Sequence, residues 1–550
     1  MRLEKQSSIY QNIIIFSVLI TLVFSSWINK DSMIIPKLIL LIICAFYLLP
    51  KIIYVLPTVL KFKYIRYLII ILTLIIFQTI FVLMVSTAPF EQQFFGTTGR
   101  GLGVVTIISL LVIMLASAIY IRKDNLNELL FGIVISCSIS SLYSLFQSFG
   151  VDFLQWESRT NGVIGTLGNP NFQSSFVALS LIPTFVLFSN LKIKYFVSVF
   201  LSFFLLLVIV RTQSTQGYVA AVFAVFLFLI ILFYYKNKYV SFALITSLIF
   251  FGTMAIFGML NKGPLSQYLY KVSVQSRGDF WRSAFATAND HPFFGVGIDS
   301  FGDYYLKYRD EIAISHPFAE YTNNSHNFFL EYAATAGYPM LILQVSIIVL
   351  TIISFLRIQR FSSTFDMKIS AIFVAWVVFQ LQSFISPGNL PMMTWNAILT
   401  GSLIGVSILV TNETNELVPN NWKVLNKTRL VSYILVSIAI LIAYPFFNTD
   451  RQQLQAMNTG NGDLAIASAK QYPESVFRYQ TISRELLNSN LPIQALDVAR
   501  SAVQFNPQSA NLWALIAINP AASIEERLAA KAKILKLDPL NKEVINYEIK

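Results

Sequence analysis

The chain has 550 residues and a net charge of +12; 55% of its residues are apolar and only 12% are charged. An ordinary soluble domain is about a quarter charged, so this composition excludes a soluble protein with buried helices: there is too little polar chain to cover so much apolar chain. The basic residues fall mainly between apolar runs, which argues against a nucleic-acid surface and matches the positive-inside pattern of a membrane protein.

Apolar runs near the length needed to cross about 30 Å of hydrocarbon are predicted at 11–28, 34–50, 65–85, 103–121, 126–149, 172–189, 195–211, 216–235, 239–260, 326–356, 369–386, 391–410 and 430–447. They predict an all-α, polytopic membrane protein with about thirteen spans over residues 1–447. Arg2 and Lys5 precede the first run as in a signal peptide, but without a clear small-residue cleavage site the run reads as a retained span. Cys44 and Cys137 lie inside apolar runs and form no disulfide framework. Lys51, Lys61, Lys63, Arg122, Lys123, Lys192, Lys236, Arg357 and Lys427 all fall on one side of an alternating topology, and Lys30, Arg100, Arg159 and Arg211 on the other. That bias places the N-terminus in the cytoplasm, and both the 261–325 loop and residues 448–550 outside.

Between the early spans lie two polar outer segments. Phe95 to Gly103 is Gly-rich and carries Arg100, but it lacks the Lys-Ser/Thr of a phosphate-binding loop. Gly165 to Asn171 is a polar turn with Arg159 upstream. Arg211 closes the seventh run, before Thr212 to Gly217.

The 261–325 loop is the richest part of the chain. Val274, Arg277, Trp281, Phe285 and Ala288 fall within about 80° of one another on a helical wheel, which puts Arg277 on an apolar face in need of an anion or carbonyl partner. Arg282 lies on the other side, three residues after Asp279, at ion-pair spacing. His291 to Ile298 is turn-rich. His326 sits where the loop re-enters the membrane, with Ser325 placed to cap the following helix and Glu331 a little over one turn deeper. Imidazole is the side chain best suited to accept a proton near neutral pH. By residue type alone, a boundary histidine or an arginine on an apolar face is more often structural. There is no His-x-x-x-His or Cys-x-x-Cys, so neither a metal nor a cofactor is expected; the loop carboxylates, among them Asp279, Asp290, Asp299, Asp303, Asp310 and Glu311, are the only alternative ligands for a divalent ion. Later, Gly401 and Gly405 form a small-xxx-small pair that predicts close helix packing.

Residues 448–550 are polar and rich in Ala, Gln and Asn. Pro473, Pro507 and Pro539 recur 34 and 32 residues apart, with helix-period runs between them. Such a period resembles tetratricopeptide repeats and predicts a helical-repeat domain that binds or docks a partner.

Ser276-Arg277-Gly-Asp-Phe-Trp281, His291 to Phe301, Ser325-His326-Asn-Phe-Phe-Leu-Glu331 and Ala336-Gly337, in that order, resemble the O-antigen ligase and polymerase superfamily of bacterial envelope glycan transferases. The likeness covers most of residues 80–410. One departure is Ser214-Thr-Gln-Gly217, where many members carry Ser-Arg-Gly; Arg211 stands nearby. The resemblance implies a lipid-linked glycosyltransferase in the bacterial cytoplasmic (inner) membrane. It would move a glycan from undecaprenyl pyrophosphate to an acceptor hydroxyl on a glycolipid, glycan or protein. His326 is then the catalytic base and Glu331 its orienting group, while Arg277 and Arg211, with Arg100 and Arg159 as lesser candidates, hold the donor pyrophosphate. Polysaccharide polymerase and protein O-oligosaccharyltransferase are alternatives of the same class. A membrane transporter or a scaffold working through the repeats are alternatives of other classes.

Overall fold

The computed structural model describes residues 2–152, 162–188, 194–316, 321–362, 364–409 and 422–548. Among these it is helical throughout, with no strand. In chain order the helices are α1 Arg2–Leu22, α2 Ile34–Val59, α3 Lys63–Val85, α4 Phe90–Phe95, α5 Val104–Tyr120, α6 Leu126–Ser148, α7 Pro170–Phe188, α8 Lys194–Thr212, α9 Thr215–Lys236 and α10 Lys238–Met259. The loop contributes α11 Ser266–Leu269, α12 Val272–Asp290, α13 Phe301–Tyr308 and α14 Glu311–Ser315. Then follow α15 Phe328–Phe361, α16 Met367–Ser383, α17 Leu390–Leu409, α18 Trp422–Thr459, α19 Gly462–Ala469, α20 Val476–Asn488, α21 Pro492–Phe505, α22 Ala510–Ala517, α23 Ile524–Leu537 and α24 Lys542–Asn546.

Eight helices among the described residues are long and apolar enough to cross a membrane, and four shorter apolar helices accompany them. With so many such helices the chain is an integral membrane protein. Large side chains such as Ile70, Phe77 and Phe81 on α3 and Phe250 and Phe251 on α10 stay exposed at the bundle surface, where lipid is the natural solvent. Inside the bundle, buried polar tips find partners: Trp395 Nε1 donates to Thr21 Oγ1 (2.9 Å) and Trp376 Nε1 to Thr400 Oγ1 (3.0 Å).

Several runs differ from expectation. The first helix stops at Leu22 rather than near residue 28, because the next polar residues satisfy one another: Ser25 N–H donates to Ser32 O, and Ser25 Oγ lies 3.1 Å from Asn29 Oδ1. Lys37 then reaches back to the carbonyls of Thr21 and Val23 and caps α1. The second helix runs to Val59 through Pro50 and Pro57. The long run after the loop is two helices joined at a kink at Gly337 (φ 80°), followed by Pro339, so its first turns form a separate segment. The Gly401/Gly405 pair lies at a close crossing of α17 on α5: a Cβ at either position would stand 2.2 Å from the carbonyl of Met114 or Ala118.

The polar C-terminal segment forms helix pairs, α20 with α21 and α22 with α23, around their own core of Tyr479, Ile482, Leu486, Ala499, Leu512 and Ile534. The change in composition near residue 448 has no counterpart in the backbone, since α18 passes through it unbroken to Thr459. The segment docks on the loop end of the bundle. Arg309 pairs with buried Asp538 (2.7 Å), Asn506 Nδ2 donates to Asp303 (3.0 Å), and Thr98 meets Ser475 (2.7 Å). At the same end Asp31 accepts from Gly99 N–H, and Asp450 accepts from Asp31 N–H. Loop, Gly-rich turn and C-terminal helices therefore share one end of the bundle.

Candidate active site

The site forms where α12 and α13 pack on the outer part of α15. Phe280, Ala284, Phe301, Tyr305 and Ala334 make a small apolar cluster with Trp281 and Leu330 against it. The His291 to Ile298 segment is fixed by backbone pairing with the broken helix: Val296 and Gly297 N–H donate to Ala334 and Thr335 carbonyls (3.0 Å each), and Tyr338 N–H to Pro292 O (2.8 Å). This approach requires glycine. Gly295 has φ +62°, and a Cβ there would lie 2.3 Å from Thr335 backbone. Gln78 on α3 locks the junction by donating to Phe293 O and Ala336 O.

His326 has φ +52°, a left-handed conformation uncommon for a residue with a Cβ. The turn around it is over-determined. Asn324 Oδ1 accepts the His326 N–H (3.0 Å), Ser325 Oγ donates to Asn327 O (2.8 Å), and Glu331 accepts from Ser325 N–H (2.6 Å). The helix cap is Asn327, whose side chain accepts from Phe329 and Leu330 N–H, and not Ser325. Glu331 thus holds the turn that carries His326; no hydrogen bond joins it to the ring. The imidazole lies against Phe280 (5.4 Å between centroids, 30° between planes). Burial, and then the neighbouring Arg277 and Arg100 charges, push its pKa down to about 3. It is therefore neutral at physiological pH.

The buried stripe of α12 is Ser276, Asp279, Phe280, Ser283, Ala284, Thr287 and Ala288. It is rotated by roughly 110° from the apolar face expected at 274, 277, 281, 285 and 288. Small residues mark the packing surface here, whereas the expectation weighted large side chains, and Phe285 is exposed. Arg277 falls at the edge of the stripe. Its Nη1 donates to Ser273 O (3.2 Å) on its own helix, and its buried Nε has no partner among the described residues. Burial lowers its pKa. Trp281, one turn on, has a buried Nε1 that is likewise unpartnered among them. Arg282 faces away and pairs with Asp279 (2.7 Å) and Asp310 (2.6 Å), the first as its spacing predicts.

Arg100 is buried. Its Nη1 donates to Asn323 O (3.0 Å) and lies 3.6 Å from both Asp299 and Glu331, while its Nη2 has no partner among the described residues. Asp299 also accepts from the N–H and hydroxyl of Thr97 (2.7 and 3.0 Å), so it ties the Gly-rich turn to the loop. In the sequence Asp299 stands out only as one of several loop carboxylates able to ligate a divalent ion; nothing local marks its tie to Arg100 and Thr97.

Arg211 lies at the exposed end of α8 over the Phe149 ring (5.5 Å). The turn after it meets the Gly165 to Asn171 segment through Ser214 and Asn171 (2.7 Å), and reaches α12 through Lys271 and Thr215 (3.0 Å). Arg159 lies outside the described residues. The other histidines are engaged elsewhere, His316 with Asp279 (2.8 Å) and His291 with Tyr308 (3.1 Å). The loop carboxylates are dispersed among separate partners, and among the described residues no group of three or more His, Cys, Asp or Glu side chains could hold a metal ion.

Residues 200–345, which contain α12, His326 and Glu331, match the family model described as O-antigen ligase. The match places this segment in the O-antigen ligase superfamily. No curated protein matches the chain significantly. The O-antigen ligase segment begins in α8 and ends just past the Gly337 kink, so it spans the His326 cluster, whereas Arg100 reaches the same cluster from outside it. Membership implies a glycan ligase or polymerase type of enzyme and a role in polysaccharide biosynthesis.

Proposed function

We propose that the protein transfers a glycan from an undecaprenyl-pyrophosphate donor to an acceptor hydroxyl at the outer face of the bacterial cytoplasmic membrane. One observation carries the proposal: His326 is flanked by two guanidinium groups, each with a buried N–H that nothing among the described residues accepts. Buried donors are nearly always satisfied, and an anion between Arg277 and Arg100 would satisfy both.

The pyrophosphate is a stable leaving group and needs cationic donors more than a general acid. The acceptor oxygen forms a bond to the anomeric carbon, the bond from that carbon to the phosphate oxygen breaks, and its electron pair stays on the pyrophosphate. His326 takes the acceptor hydroxyl proton. Burial first, and then the arginine charges, make His326 a weak base; a bound pyrophosphate would offset the arginine part and raise its basicity when the donor is in place. Arg277 is the main donor contact, Arg211 lies at the approach along α12, and Arg100 adds one N–H while its carboxylate pairs fix the turn. Glu331 is a positioning residue acting through the Ser325 N–H. Ligase, polymerase and protein O-oligosaccharyltransferase share this step and differ in whose hydroxyl attacks.

The charge bias of the loops, with loop and C-terminal helices at one end of the bundle, supports an extracytoplasmic site and an extracytoplasmic helical-repeat domain of tetratricopeptide type. Cysteines introduced at positions 310 and 490 should react with an impermeant reagent in intact cells, and one at position 360 should not; labelling at 360 would reverse the topology. The function is tested with purified protein in nanodiscs, a defined lipid-pyrophosphate glycan and mass analysis of the products. The proposal expects a new glycosidic product with release of undecaprenyl pyrophosphate, and transfer by the His326→Ala protein at the parent rate would contradict it.

A further inference from the structure

Between the C-terminal helices and the loop end of the bundle lies a cavity of about 1140 Å³. That is above the roughly 300–1,000 Å³ of an ordinary small-molecule site, and it suits an oligomer. Its floor is the turn from Gly96 to Gly99 with Asp299, Asp303 and Asn323; one wall is helix α20. The wall follows from the sequence of α20. Tyr479, Ile482 and Leu486 enter the core of the C-terminal helices. Phe477, Gln480, Thr481, Arg484 and Glu485 recur at helical spacing on another face and line the cavity.

The lining selects a ligand class. Asp299, Asp303, Glu474 and Glu485 line the space and Arg484 is the only cation among its described lining residues, so a pyrophosphate is disfavoured there. Amide, hydroxyl and carboxylate groups instead match the donor and acceptor pairs of sugar hydroxyls, and the Phe477 and Tyr321 rings offer apolar faces. The cavity adjoins the reaction cluster, because Asp299 and Asn323 in its floor are also the residues that hold Arg100. We propose that this cavity is a subsite for an uncharged glycan chain, and that the C-terminal helices build half of it through α20. The inference rests on the transfer reading above. The chain held there belongs either to the donor or to the acceptor.

The test uses the full chain in nanodiscs and two probes: short oligosaccharides released by mild acid from the lipid-linked glycan of the source cells, and undecaprenyl pyrophosphate bearing no sugar. Gln480→Leu and Thr481→Trp change only the cavity face of α20. Both should weaken oligosaccharide binding by about tenfold or more and leave undecaprenyl pyrophosphate binding unchanged. In transfer assays, a raised KM for the donor assigns the cavity to the donor glycan, and a raised KM for the acceptor assigns it to the acceptor. Oligosaccharides that bind the variants as well as the parent, or that fail to bind the parent, would overturn the proposal. Unimpaired transfer by His326→Ala would instead sink the transfer reading and leave the binding result standing.

Discussion

The 261–325 loop and the cluster it packs against hold their cations in two different ways. On the loop's rim Arg282 is matched to Asp279 and Asp310, and below the surface Arg309 is matched to buried Asp538. In the cluster, and among the described residues, Arg277 has no carboxylate within ion-pair distance, Arg100 of the Gly-rich turn keeps a buried N–H without a partner beside its two acids, and His326 sits in a strained turn next to both. The residue types are the same, and Arg277 and Arg282 even share a helix. What separates them is whether the fold completes their hydrogen bonding. The matched cations tie the loop to itself and to the C-terminal helices, and the unmatched N–H groups of Arg277 and Arg100 are left to bind something else.

The largest effect that would break this contrast is at His326. His326→Ala should bind donor normally and lose transfer by about 10²–10⁴-fold, the range for a missing general base; single-turnover kinetics with a donor-binding assay separates the two. The same side chain gives the contrast a pH signature. Its folded pKa of about 3 lies below the ordinary 6.5. The unfolded chain therefore binds more protons between these values, and the histidine's contribution to stability is fully present above about pH 6.5 and lost as pH falls toward 3. Denaturant melts across this window should show a shallower acid slope in His326→Ala than in the parent.

Next in size is Arg277→Ala, which should weaken donor binding by about 10- to 100-fold, since a charge-assisted contact acts in the ground state as well. On the rim, Arg282→Ala should leave donor affinity within about twofold and lower unfolding stability by about 1 kcal/mol, because half of its pairing is solvent-exposed. Smallest is the expected response to a strong chelator, which should leave transfer unchanged; loss of activity with rescue by added divalent metal would point back to the loop carboxylates.

Much of the fold was legible because apolar runs of membrane length have few alternatives. The kink in α15 at Gly337 had no expectation behind it, whereas the Asp279–Arg282 pair follows from its spacing. The face of α12 was misread because Ser276, Ser283, Ala284 and Thr287 pack closely without being strongly hydrophobic, so periodicity of large residues pointed past them. His326 and Arg277 could be picked out from residue type and from the order of motifs. Their meeting with Arg100 could not, because it depends on a turn some 200 residues earlier being drawn in by Asp299 through Thr97. The composition break at residue 448 is likewise real in sequence and absent from the backbone, since a helix can leave a membrane and continue in water without changing its dihedrals.

The contrast between matched and unmatched cations is tested most directly by calorimetric titration of undecaprenyl pyrophosphate into the parent, Arg277→Ala and Arg282→Ala proteins, each checked for its helical content and melting temperature. The account predicts that Arg277→Ala loses about tenfold or more in affinity while Arg282→Ala binds like the parent despite melting earlier. Equal losses in both variants, or parent-like affinity in Arg277→Ala, would contradict it.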